Sequence, residues 1–119
     1  MNNGKIFKMP FSKVYPLYII KVERKGRLKS EVDEVIKWLT GYDQINLESQ
    51  IKNNVSFEVF FSKAPLINPN VTLITGSICG YKIQEISDPL MKNIRYMDKL
   101  VDEIAKGRSM VKILRSNSN

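Results

Sequence analysis

Asp98 and Asp102 stand four residues apart, with Glu103 beside the second. On a helix that spacing sets two carboxylates on one face, an arrangement able to hold a divalent ion. Cations interleave with them, however. Arg95 lies one turn before Asp98, Lys106 one turn after Asp102, and Lys99 at the same distance from Glu103. Alternation of this kind is the dressing of a solvated helix face, so no metal ligand is expected here. The run Gly76-Ser77-Ile78-Cys79-Gly80-Tyr81-Lys82 superficially has the make-up of a phosphate loop. Its spacing fails: the lysine does not follow the second glycine, no Ser or Thr follows the lysine, and the glycines are one residue too close.

The chain has no histidine and one cysteine, Cys79. That removes the usual general base near neutral pH, both the Ser-His-Asp and Cys-His arrangements, and any Cys/His zinc cluster. No catalytic residue, metal or cofactor is therefore expected. Two groups of residues remain as binding candidates. Lys21, Arg24, Lys25, Arg27 and Lys29 form the densest basic run and could meet a polyanion. The run carries no interleaved aromatic for base stacking, and cations at the end of a helix are favoured by its dipole alone. The second group is Trp38 and Tyr42 around Gly41, Asn68 and Asn70 around Pro69, and Cys79 and Tyr81 around Gly80. If a small-ligand site exists, it is expected where these three segments meet. They offer aromatic walls, a few orienting polar atoms and glycines that let backbone approach. The same aromatics also suit plain core packing.

These residues sit in a chain of 119 residues, with 19 Lys/Arg against 12 Asp/Glu and a formal charge of +7. One globular domain over 1–119 is expected, with mobile ends at about 1–4 and 116–119. The charge is uneven: residues 1–29 carry a net +7, residues 30–60 a net −4 and residues 61–119 a net +4. The longest apolar run, Tyr15 to Ile20, is six residues and contains Pro16, far short of a membrane span. The N-terminus reads as no secretion signal, and a lone cysteine fits a reducing compartment, so a cytoplasmic location is expected.

The elements that must position the candidates are mainly helical. Asp88 as cap, Pro89 at the first helical position, a stripe of Leu90, Ile94, Met97, Val101 and Ile104, and Gly107 as terminator mark one long helix from Pro89 to Lys106. Ser30 and Asp33 predict the start of a helix over 31–40, with Val32, Val35, Ile36 and Leu39 on one face and Gly41 at its end. Asp43 can cap a third helix through about Lys52, with Ile45, Leu47 and Ile51 apolar. Arg108 to Arg115 reads as a short last helix. Three segments stay ambiguous between helix and strand: 17–22, with a helix starting at Pro16; 55–61, with a helix capped by Ser56; and 71–83. The last reads either as a hairpin turning at Gly76-Ser77 or as a short helix opened by Asn68-Pro69 and then a second helical stretch. The expectation is a compact orthogonal bundle of about five or six short helices with one long helix in the C-terminal half. The alternative is an α+β fold with a small hairpin around 71–83.

Several blocks are familiar together. They are Lys8-Met9-Pro10-Phe11 with Val14-Tyr15-Pro16-Leu17-Tyr18; Glu31-Val32-Asp33-Glu34 with Trp38-Leu39-Thr40-Gly41-Tyr42; Ile67-Asn68-Pro69-Asn70; Ile78-Cys79-Gly80-Tyr81; and Asp88-Pro89-Leu90-Met91 running on through Tyr96 to Glu103. On these blocks the chain resembles an uncharacterised bacterial family catalogued as domain of unknown function twenty-two hundred, and the similarity covers nearly everything from Ile6 to Leu114. The resemblance implies a small, mainly helical cytoplasmic protein and supplies no activity, cofactor or catalytic residue. The leading function class is a small binding or interaction module, with a protein partner or weak polyanion binding and no membrane. The alternatives are a nucleic-acid-associated protein using the basic residues 5–29, and a histidine-free enzyme with a pocket near Trp38, Tyr42 and Tyr81.

Overall fold

The computed structural model describes residues 3–116, and the expected mobility of 1–2 and 117–119 lies outside them. Gly4 already belongs to the first helix, α1 (Asn3–Phe7). Six more helices follow: α2 (Phe11–Glu23), α3 (Lys29–Thr40), α4 (Gln44–Lys52), α5 (Phe57–Ser62), α6 (Pro89–Ala105) and α7 (Met110–Ile113). Between α5 and α6 lie a 3-10 turn (Pro69–Leu73), the hairpin strands β1 (Ser77–Ile78) and β2 (Tyr81–Lys82), and a second 3-10 turn (Ile83–Glu85). The molecule is thus mainly α with one small antiparallel hairpin.

The long helix forms as its signals require. The Asp88 carboxylate accepts from Met91 N at 2.9 Å, and Gly107, at φ 88°, stops the chain in a conformation that Cβ disfavours. Ile94, Met97, Leu100, Val101 and Ile104 are buried, and α6 touches α1, α2, α3, α5, α7 and β1. It is the spine of the core. Ile94→Ala is expected to cost about 2–4 kcal/mol, read by denaturant unfolding, since its side chain is fully enclosed. A loss below about half a kcal/mol would place that stripe outside the core.

The ambiguous segments resolve toward helix where aromatic burial decides. Ser56 accepts from Val59 N at 3.1 Å, and the helical reading of α5 buries Phe57, Phe60 and Phe61. Phe60 stacks on Phe11 with centroids 4.1 Å apart, and Phe11 meets Phe57 edge-on at 6.0 Å. α2 begins at Phe11, five residues before the expected start at Pro16. Phe11 N donates to Val55 O at 2.9 Å and Phe57 N to Met9 O at 3.0 Å. This bridge fixes the chain just ahead of the helix, while Pro16 sits inside it on the exposed side, where a missing backbone donor is tolerated.

Other expectations shift by a residue or two for local reasons. α3 starts at Lys29 because Glu31, not Ser30, closes its first turn by accepting from Leu28 N at 3.1 Å. Gly41 does end it, at φ 80°, and a Cβ there would lie 3.0 Å from Leu66 N. In α4 the Asp43 cap is present at 2.7 Å from Asn46 N and Leu47 is buried, but Ile45 is 78% exposed. Residues 71–83 combine both readings. Asn68 caps the 3-10 turn by accepting from Asn70 N at 2.8 Å, and a hairpin follows. The hairpin turns at Cys79-Gly80, not at Gly76-Ser77. Both turn residues have positive φ, 53° and 82°, the backbone of a two-residue turn matched to strand twist. The register pairs Ile78 with Tyr81 and Ser77 with Lys82, and Ile78 is buried. The last helix spans only Met110–Ile113, because Arg115 turns back onto Glu103.

Candidate functional site

The structure distributes the expected site residues over separate surroundings. Tyr42 is buried, and its hydroxyl donates to Phe60 O at 2.6 Å. Trp38 is half-buried against the core. Asn68 N donates to Leu39 O at 3.0 Å and Leu66 N to Thr40 O at 3.1 Å, so the end of α3 and the loop before Pro69 do meet, backbone against backbone. Asn70 donates from Nδ2 to Arg115 O at 3.1 Å. Cys79 and Tyr81 are exposed on the hairpin. The cleft that Tyr81 lines includes none of Trp38, Tyr42, Asn68 or Asn70.

The basic run is equally divided. Lys21 pairs with Asp102 at 3.1 Å, and Lys29 with Asp33 at 3.0 Å. Arg27 forks onto Glu31 at 2.9 and 2.8 Å and also donates to Arg108 O at 2.8 Å. The Arg27 guanidinium holds the Glu31 carboxyl below its ordinary range. Arg24 and Lys25 stand exposed just past the C-terminal end of α2.

A cleft of about 650 Å³ opens between the hairpin and the N-terminal half of α6. Tyr81, Lys82, Glu85, Ile86, Ser87, Asp88, Met91 and Arg95 line it. Each is placed by an element already described: Tyr81 by the Cys79-Gly80 turn, Asp88 by its capping bond, Met91 and Arg95 by one turn of α6. Arg95 is the unusual member. Its side chain is 15% exposed, and Nη1 bonds Asp98 Oδ2 at 2.9 Å. The Tyr81 ring covers the guanidinium, with Cζ 5.3 Å from the ring centroid. Arg95 Nε is buried and has no hydrogen-bond partner. Asp98 is occupied on its other oxygen by the Tyr18 hydroxyl. Nη1 of this guanidinium is thus satisfied and Nε is not, and a buried donor without a partner costs about 1–3 kcal/mol.

The family model described as an uncharacterized protein conserved in bacteria, DUF2200, matches residues 5–115. The chain belongs to this family. A solved structure of similar fold bears the description "Crystal structure of uncharacterized protein SP1917". It shares 44% identity with a TM-score of 0.89, over 96% of this chain and 93% of that one. No curated protein matches the chain. None of the described helices is long and apolar enough to cross a membrane.

In this DUF2200 chain the carboxylates of the apparent solvated face are largely inside. Glu103 is 6% exposed and is gripped by Arg115, whose Nη1 and Nη2 lie 2.8 Å from its two oxygens, and by Arg108 at 3.0 Å. Lys99, expected opposite Glu103, instead donates to Ser77 O at 3.2 Å and so ties α6 to the hairpin. The Arg95–Asp98 and Lys106–Asp102 pairs form as their spacing predicts, at 2.9 and 3.0 Å. Tyr15 and Tyr18, one turn apart on α2, each donate to a carboxylate on another helix: Asp33 of α3 and Asp98 of α6. Asp33 also accepts from Lys29 and from Gln44 Nε2 at 3.1 Å, joining three helices.

These phenols make the protein sensitive to alkali. Burial, reinforced by Asp33, lifts Tyr15 to about 12; burial alone lifts Tyr42 to about 12; burial and then Asp98 push Tyr18 well above the ordinary value. A folded-state pKa above the unfolded one gives stability that is whole below about pH 10 and lost as pH rises toward the folded values. Phenolate absorbance from these tyrosines is therefore expected to appear together with helix loss between about pH 10 and 12. Full ionisation near the ordinary tyrosine pKa with circular dichroism unchanged would contradict the buried pairs.

Proposed function

We propose that the protein is a small cytosolic binding module that holds a ligand through a carboxylate or phosphate group in the cleft between the hairpin and α6. The observation that carries this reading is Arg95 with Nη1 bound to Asp98 and Nε left without a partner. An anionic oxygen is the natural acceptor for that donor, and a guanidinium already oriented by Asp98 and Tyr18 loses little freedom on binding it. Tyr81, Ile86 and Met91 supply apolar wall for the rest of the ligand, while Lys82 and Ser87 add polar groups at the rim. Tyr81 is 40% exposed on a two-residue strand, so it is the side chain that moves aside to admit the ligand. The exposed free thiol of Cys79 supports a reducing compartment.

Thermal shift across inorganic phosphate, phosphate monoesters and small carboxylates tests the reading. At least one class is expected to raise the melting temperature of the native protein, with no rise for Arg95→Gln. Arg95→Lys keeps the charge facing Asp98 but loses the fork, and is expected to lose most of the effect. Equal shifts in native protein and both variants would place the anion elsewhere, and no shift with any class would refute the proposal.

A further inference from the structure

The outer face of α2 carries a second surface, separate from the cleft. Its inner face is committed to the core through Phe11, Tyr15, Tyr18 and Val22. On the opposite side Leu17 and Ile20 are 61% and 45% exposed. With Lys21, Arg24 and Lys25 they line an open groove of about 470 Å³. Leu17, Ile20, Lys21 and Arg24 follow the spacing of one helical stripe, and Lys25 stands in the turn just past the helix, so the apolar floor adjoins a basic end. Lys21 is partly neutralised by Asp102 at 3.1 Å, which leaves the positive charge concentrated at the Arg24–Lys25 end.

We infer that this groove docks an acidic amphipathic helix of a protein partner, its apolar side chains on Leu17 and Ile20 and its carboxylates against Arg24 and Lys25. Charge complementarity fixes the sign of the partner, and the grouping of two exposed aliphatics with cations around one groove fixes its amphipathic character. A nucleic acid would meet an aliphatic floor where it needs phosphate contacts or stacking aromatics. An anionic bilayer would gain little from a concave surface with only two aliphatic side chains to insert.

The test uses a fluorescently labelled synthetic helix with leucines along one face and glutamates flanking them. A scrambled peptide of the same composition, phosphatidylglycerol vesicles and a DNA duplex are run beside it. Saturable binding of the patterned peptide is expected, weakening with salt and at least about tenfold tighter than the scrambled one. The double variants Leu17→Ser/Ile20→Ser and Arg24→Glu/Lys25→Glu change only exposed side chains, so circular dichroism should be native. Each is expected to weaken binding at least about tenfold. No saturable binding, binding indifferent to pattern, or binding unchanged in both variants would overturn the inference. Tighter, variant-sensitive binding of the vesicles or the duplex would overturn it too, by giving the face to another class of partner.

Discussion

Phe60→Ala is expected to remove about 3–5 kcal/mol of folding stability. Phe60 has no exposed surface, stacks on Phe11 at 4.1 Å and 12°, and packs against Tyr42 and Phe61 at 5.0 and 5.2 Å. α5 has only six residues, too few to be stable by itself, so its place depends on these rings. Truncating Phe60 leaves a void bounded by rings from α2 and from the segment after α3, which cannot all collapse into it. Denaturant unfolding followed by circular dichroism measures the loss. Ile45→Ala, at a residue 78% exposed, serves as the control and should change stability by less than about half a kcal/mol. A loss below about 1 kcal/mol for Phe60→Ala would show that the aromatic cluster is not packed as described.

Glu103→Ala is expected to cost about 3 kcal/mol, because it strips a largely buried guanidinium of its carboxylate. Arg115 is 12% exposed and bonds both oxygens of Glu103 at 2.8 Å, whereas the Arg108 pair is 43% exposed on the arginine side and adds less. Arg115 also donates to Leu73 O at 3.2 Å and Ile113 O at 2.8 Å. It therefore anchors the segment that follows α7 to α6 and to the 3-10 turn together. Arg115→Ala should weaken the same contacts, and the double variant should lose less than the two single losses added, as residues in direct contact do. Strict additivity would mean that the pair does not form in solution.

The parts of the fold that could be read locally are those whose determinants are local. α6 was written in full by Asp88, Pro89, its stripe and Gly107, and α4 by Asp43; α5 was not, because residues 55–61 fit both an alternating strand and a helix capped by Ser56 until the burial of Phe57, Phe60 and Phe61 together decides for the helix. Residues 69–83 were harder because each piece is only two to five residues long, too short for periodicity to separate helix from strand or to fix the hairpin turn. Pro16 misled for a related reason: the start of α2 is fixed by backbone bonds to residues 55–57, remote in sequence. The charged groups follow the same rule. Arg95–Asp98 and Lys106–Asp102 are local and legible. The burial of Asp33 and Glu103 and the half-burial of Asp98 are not, because Tyr15, Tyr18 and Arg115 arrive from other elements. The one available sign was position: Arg95 follows Ile94 and Asp98 follows Met97, at the border of the apolar stripe, where helix charges are half covered. The cleft was illegible as a place for the same reason, since nothing in the spacing sets Tyr81 over Arg95.

The most direct measurement is the nitrogen and proton resonance of Arg95 Nε, assigned through its loss in Arg95→Lys and followed during titration with the phosphate or carboxylate that gives the largest thermal shift. An unpaired donor gaining an anionic acceptor should move strongly downfield in proton shift and exchange more slowly with water, saturating together with the shifts of Tyr81 and Met91. A ligand that saturates the protein while the Arg95 Nε resonance stays fixed would contradict the assignment of this guanidinium as the anion-binding group.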